Sequence, residues 1–193
     1  QLRRFKIDKL VILSRNTNYL KREFKIKNNK KIIFKNIDLF KVTKLPYCDY
    51  IIHAAEKTLI SPINKKLYLR YFNLTKKICN YFIKFKNIKF LYLSSGAVYG
   101  KIDKKKKVKE NDLVNLNYPP GIRREYAKYK IKAENYLKKN FNKDKLIIAR
   151  LFSFNGQFLL KNKHYAVGNF LKDAKSSDKI KVKSSSPDNI YRS

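Results

Sequence analysis

Residues 90–100 read FLYLSSGAVYG, an apolar run that stops at two serines and a glycine, with a tyrosine and a second glycine close behind. A short apolar run closed by small and polar residues has the signature of a buried strand, here Ile88–Leu93. Four other stretches look alike: Lys9–Ser14, Lys31–Phe34 (closing near Asp38), Asp49–Ala54 and Leu146–Leu151. Each is continuously apolar rather than alternating, as expected when helices cover both faces of a parallel sheet.

Between these runs the apolar residues fall at helical spacing. Pro62 to Phe85 places Leu67, Tyr71, Leu74, Ile78 and Phe82 on one helical face, with proline in the first turn. Arg124 to Phe141 reads as a second helix, and Arg15–Asn18 as a polar turn. Strands alternating with helices predict a doubly wound α/β domain with a parallel sheet. Ligands of such sheets bind beyond the carboxyl ends of the strands, where the serines of the opening stretch stand. Past Leu151 the pattern loosens into a shorter helix, Tyr165–Lys175, and a small strand, Ile180–Val182. Two regions are therefore expected, 1–150 and the start of a smaller one, 151–193.

The net charge of +33 raises the question of nucleic acid. The lysines are spread from end to end and far outnumber arginine, the better reader of phosphate and base edges. Asn, Ile, Phe and Tyr are abundant as well, so the charge reads as a solvated basic surface with compositional bias, the Lys104–Lys107 loop included. Cys48 and Cys79 lack metal-ligand spacing and are expected as buried free thiols of a cytoplasmic protein. His53 and His164 stand apart without ligand-like partners, and no metal is expected. No apolar stretch approaches the roughly 18–20 residues of a membrane span, which predicts a soluble protein. The chain opens at Gln1 in a helix-like stretch and stops at Ser193 without a terminating signal, as a fragment of a longer protein would.

Tyr126 and Lys130 lie four apart on the second helix, so both project from one face. A phenol near its ordinary pKa of about 10 is a poor acid–base catalyst at neutral pH, and a neighbouring ammonium favours the phenolate. A serine hydroxyl beside it can hold a substrate oxygen for proton transfer. Together the three groups suit removal of a proton from an alcohol while a hydride leaves the same carbon. By spacing alone the pair is equally an exposed helix face, although it is the one Tyr-x-x-x-Lys in the chain.

Ser94-Ser95-Gly96-Ala97-Val98-Tyr99-Gly100, followed by Tyr126, Lys130 and Glu134, resembles the extended short-chain dehydrogenase/reductase family, specifically its nucleotide-sugar epimerases and dehydratases. The resemblance covers essentially the whole chain in order. It implies a Rossmann-like fold, NAD or NADP as cofactor and a nucleotide-diphosphate sugar as substrate. It makes Ser95, Tyr126 and Lys130 catalytic, with Lys130 also on the nicotinamide ribose and Ser94 structural. Ser14, Arg15, Asp38, Leu39, Ala54, Ala55 and Asn73 would contact the cofactor, the alanines in the turn His53-Ala54-Ala55-Glu56. Ser95, Asn169 and Arg192 would contact the substrate. A homodimer through the two long helices is implied as well. The alternatives are an inactive relative that keeps only the fold and a basic nucleic-acid-binding module.

Four departures stand out. The first strand and the Gly-x-x-Gly-x-x-Gly loop of the family are missing, since all five glycines lie at Gly96 or later. Ser14 followed by Arg15 replaces the strand-end aspartate that binds the adenosine ribose, which leaves NAD and NADP both open. Ser153 replaces an asparagine ahead of the substrate loop. Gly96 and Ala97 stand where 4,6-dehydratases carry an acidic pair, which leaves epimerisation, decarboxylation or ketoreduction.

Overall fold

A computed structural model describes residues 7–23, 29–56, 65–102, 107–152 and 166–176. Their elements run in the order β1 (Leu10–Ser14), α1 (Thr17–Glu23), β2 (Ile32–Asn36), β3 (Tyr50–His53), α2 (Lys65–Phe82), β4 (Lys89–Ser95), α3 (Ile122–Asn140), β5 (Leu146–Leu151) and α4 (Ala166–Ser176). Short 3₁₀ turns occupy Gly96–Tyr99 and Lys143–Lys145. The strands lie within two residues of their expected bounds. The fourth does not stop ahead of the serines but includes both of them. The turn expected at Arg15–Asn18 gives way to a helix at Thr17, because the Asn16 side chain accepts from the Tyr19 amide and caps its first turn. The stretch expected as the strand Ile180–Val182 lies outside the described residues.

All pairings among the described strands are parallel, and these strands form two sheets, β1–β2 and β3–β4–β5. In the doubly wound order 3-2-1-4-5-6 the first strand separates the second from the fourth. With β1 to β5 taken as the second to sixth strands of that order, the break between the sheets falls where the first strand would stand. The architecture is Rossmann-like, α/β and parallel.

Alternation along the strands sorts the side chains of β4. Phe90, Tyr92 and Ser94 point to the face covered by α2 and α3, and all three are buried. Leu74, Ile78, Cys79 and Phe82 of α2 and Ala133 and Leu137 of α3 complete that core. The bare residues at Ala127 and Ala133 bring α3 close to the sheet. The opposite face differs from expectation. Tyr50 and Ile52 of β3 are 71% and 65% exposed, and Ile147 of β5 is 60% exposed. Both long helices pack on one side, so within this unit the other side of β3–β4–β5 is uncovered among the described residues.

Two compact units divide the chain at residues 152 and 153. Everything above except α4 belongs to the first; α4 is the described part of the second. Cys79 is buried in the core and its thiol is pushed up to about 11 by desolvation, whereas Cys48 is only half-buried. No described helix is long and apolar enough to cross a membrane.

Candidate active site

Some of the residues singled out in the sequence stand at or just beyond the carboxyl ends of the strands, and others do not. Ser14 ends β1, where its hydroxyl accepts from the Asn16 amide and its carbonyl accepts from Ile37 N, beside β2. Asp38 lies two residues beyond β2 rather than at its end, because its carboxylate turns back to accept from Phe40 N at 3.0 Å. Arg15 is exposed; Leu39 is half-buried, and its carbonyl accepts from Lys77 on α2. Ala54 and Ala55 follow β3, the first exposed and the second half-buried. Asn73 stands on the exposed side of α2, and no described bond joins it to these groups. Asn169 lies on α4 in the second unit, and Arg192 is outside the described residues.

At the end of β4 the two serines part company. Ser94 faces the helices and donates to Glu134 Oε1 on α3 at 2.5 Å. Glu134 is 1% exposed and also receives Arg150 of β5 through Nε and Nη2, the latter at 2.8 Å. That carboxylate thus ties β4, α3 and β5 together, which is a structural employment for Ser94. Ser95 faces the other way, and its hydroxyl oxygen accepts from Ala97 N at 3.2 Å, capping the 3₁₀ turn. A hydroxyl is one donor and two acceptor positions, so the O–H of Ser95 is left to donate.

The turn behind Ser95 is glycine-dependent for two reasons. A Cβ on Gly96 would stand 2.5 Å from the Phe152 ring, so the residue after the hydroxyl can carry no side chain while Phe152 stays. Gly100 adopts φ +72°, and a side chain there would strike Asn117.

Tyr126 and Lys130 come together on α3. Tyr126 is half-buried, and its ring centroid lies 6.1 Å from that of Tyr68 and 6.4 Å from that of Tyr129. The Lys130 ammonium lies 5.7 Å from the Tyr126 centroid, 4.8 Å from Tyr92 and 5.6 Å from Tyr129. It donates to the Leu93 carbonyl at 2.7 Å, two residues before Ser95, and pairs with the Glu56 carboxylate. Lys130 is 2% exposed, and desolvation pulls its ammonium below the ordinary lysine range while Glu56 opposes the fall. The other oxygen of Glu56 accepts from Tyr92 and, at 2.5 Å, from Tyr129. Burial and the same carboxylate push both of those phenols above the ordinary tyrosine value.

His53 closes β3 beside this cluster, with Nε2 at 3.0 Å from Thr75 Oγ1. Desolvation lowers its pKa to about 4. The unfolded imidazole titrates near 6.5, so between pH 6.5 and 4 the unfolded state binds more protons and stability falls as pH falls. The loss expected across that window is about 3 kcal/mol. Denaturation midpoints of a His53→Gln variant should depend less on pH over the same range than those of the parent; equal slopes would place the dependence elsewhere.

A family model, the NAD dependent epimerase/dehydratase family, matches residues 5–185. The chain belongs to that family. The resemblance drawn from the Ser94–Gly100 stretch and the Tyr126, Lys130 and Glu134 spacing is borne out at this level. Three solved structures are similar in fold. A UDP-glucuronic acid 4-epimerase from Bacillus cereus, in complex with NAD, is 19% identical with a TM-score of 0.62 over 87% of this chain and 55% of its own. A dTDP-glucose 4,6-dehydratase from Bacillus anthracis, in complex with NAD, is 16% identical with a TM-score of 0.68 over 93% and 56%. An epimerase from Methanothermobacter thermautotrophicus is 18% identical with a TM-score of 0.62 over 89% and 60%. The chain therefore spans little more than half the length of these proteins. No curated protein matches the sequence.

Within this epimerase/dehydratase framework, sequence reasoning noticed Glu56 only as the end of a turn and passed over Tyr92 and Tyr129. One signal was available. Glu56 is the sole acid between Asp49 and Asp103, in a chain with 14 acids against 47 bases, and it stands just behind a strand end.

Proposed function

We propose that the protein is a nucleotide-sugar-modifying enzyme of epimerase, decarboxylase or reductase type, using NAD or NADP at a Ser95–Tyr126–Lys130 site. The supporting observation is the Lys130 ammonium, which lies against the Tyr126 ring and bonds the Leu93 carbonyl, two residues before Ser95. In this reading the phenol, the ammonium and the strand-end hydroxyl act together at the end of β4, where ligands of parallel sheets bind.

The residues present fit a dinucleotide in part. Ser14 and Asp38 offer polar groups beyond adjacent strands for the adenosine end, and Lys130 and Tyr126 offer them for the nicotinamide ribose. A glycine-rich pyrophosphate loop is not among the five glycines of this sequence. When bound, the dinucleotide supplies the acceptor for a hydride from the sugar carbon. The chain's own residues handle the proton. Ser95 donates its O–H to the sugar oxygen, and the Tyr126 oxygen takes the hydroxyl proton. Lys130 favours the phenolate that must receive it, and the same groups return the proton when the carbonyl is reduced again.

The bare Gly96 weighs against dehydration, since an acidic side chain there would meet the Phe152 ring. A second copy is proposed to pair through α2 and α3, where Leu69 and Ile122 are exposed; a single-protomer mass in solution would count against pairing. The test of function is binding. The full-length protein should melt higher with NAD or NADP and convert members of a UDP- and dTDP-sugar panel. No dinucleotide response, joined to tight DNA binding that weakens steeply with salt, would favour a basic binding module instead.

A further inference from the structure

The Ser95, Tyr126 and Lys130 set omits the residue that touches Lys130 most directly. We infer that Glu56 is a positioning residue, which keeps the Lys130 ammonium charged and fixed beside the Tyr126 ring. This inference rests on the proposed reading of Tyr126 as acid/base and Lys130 as its tuner.

The geometry is specific. The ammonium donates to the Leu93 carbonyl and to Glu56 Oε2, and the rings of Tyr92, Tyr126 and Tyr129 lie around it. Carbonyl and rings attract a cation but carry no net charge. An ammonium at this depth without a counter-ion loses its proton readily, as buried lysines with pKa values of about 5–6 illustrate. A neutral amine would give Tyr126 no support as a phenolate. Glu56 is itself held in place, because Tyr92 of β4 and Tyr129 of α3 both donate to its Oε1. Its carboxylate is 11% exposed, so it offers little to solvent.

The other ionisable groups around Lys130 do not substitute for it. His53, from β3, is neutral above a pKa of about 4 and adds no negative charge. Tyr92 and Tyr129 are held as protonated donors by burial and by Glu56. Glu134, one turn along α3, also favours the charged Lys130 but less than Glu56 does, being bonded to Arg150, Ser94 and Lys138. From α2, Tyr68 stacks on Tyr129 at 5.8 Å, and desolvation pushes it up to about 12, so it too stays neutral.

The experiment compares Glu56→Gln and Glu56→Asp with the parent in the full-length protein. Two readouts are taken: the pH dependence of kcat, and the titration of the Lys130 side-chain nitrogen by NMR. In Glu56→Gln the Lys130 nitrogen should titrate at lower pH. The acidic limb of kcat should move to higher pH by one unit or so, giving about tenfold lower turnover near neutrality that alkaline pH restores. Glu56→Asp, which keeps the charge, should recover most of the parent profile. An unmoved limb with unmoved Lys130 titration overturns the inference, even if the variant melts lower or turns over uniformly more slowly. Should Glu56→Gln fail to fold, Tyr129→Phe loosens the carboxylate with both charges kept; a smaller shift of the same sign is expected, and none would overturn the inference. Full activity of Tyr126→Phe would instead sink the acid/base reading while leaving the Lys130 titration as it was, so the two failures are separable.

Discussion

Lys130→Met should destabilise the fold by about 3–5 kcal/mol and abolish turnover. Both partners of the Lys130–Glu56 pair are nearly hidden from solvent, with side chains 3% and 11% exposed. Replacing the lysine by an apolar chain of similar length preserves the packing between Tyr92 and Tyr129 but strands a carboxylate in low dielectric. That penalty is a large part of the roughly 5–15 kcal/mol that holds a domain folded. A surface pair would behave differently, since exposed ion pairs contribute about 0–1 kcal/mol. The origin of the loss can be separated by combining Lys130→Met with Glu56→Gln, which removes both charges. The double variant should recover part of the stability, with a coupling of about 0.5–3 kcal/mol in chemical denaturation. A Lys130→Met protein with the parental denaturation midpoint would mean that the pair is not buried as described.

Tyr126→Phe is expected to lower kcat by about 10²–10⁴ with little change in melting temperature or dinucleotide affinity. The substitution removes one oxygen and keeps the ring, so the contacts with Tyr68 and Tyr129 persist. Loss of activity with intact binding separates a proton-transfer role from a packing role. Retained turnover would refute the assignment of Tyr126, and lowered affinity with unchanged kcat would make it a binding residue alone.

The sequence made the local part of this architecture legible. Continuous apolar runs located the five strands and an apolar face at helical spacing the two long helices, because each pattern rests on neighbours a few residues away. The same logic separates Ser94 from Ser95: alternation along β4 sends one hydroxyl to the helices and the other to the opposite face. Tyr126 and Lys130 were readable for a similar reason, being one helical turn apart. Contacts that cross the fold were not readable. The bonds of Glu56 to Tyr92, Tyr129 and Lys130 span 36, 73 and 74 residues. The exposure of Tyr50, Ile52 and Ile147 among the described residues was equally hidden, since a continuously apolar strand looks the same whether one face is covered or two. The resemblance supplied roles for Asn73, Asn169 and Arg192, yet Asn73 is solvent-exposed on α2, Asn169 belongs to the second unit and Arg192 lies outside the described residues.

The proposal at the centre is a single site in which Ser95, Tyr126 and Lys130 would remove a sugar hydroxyl proton as a hydride leaves the same carbon. The most direct test is rapid mixing of the full-length protein, loaded with oxidised dinucleotide, with UDP- and dTDP-sugars while following reduced-nicotinamide absorbance. A transient or lasting rise in the parent that disappears in Tyr126→Phe, with the sugar still bound, is the predicted result. An equal rise in both proteins would contradict it.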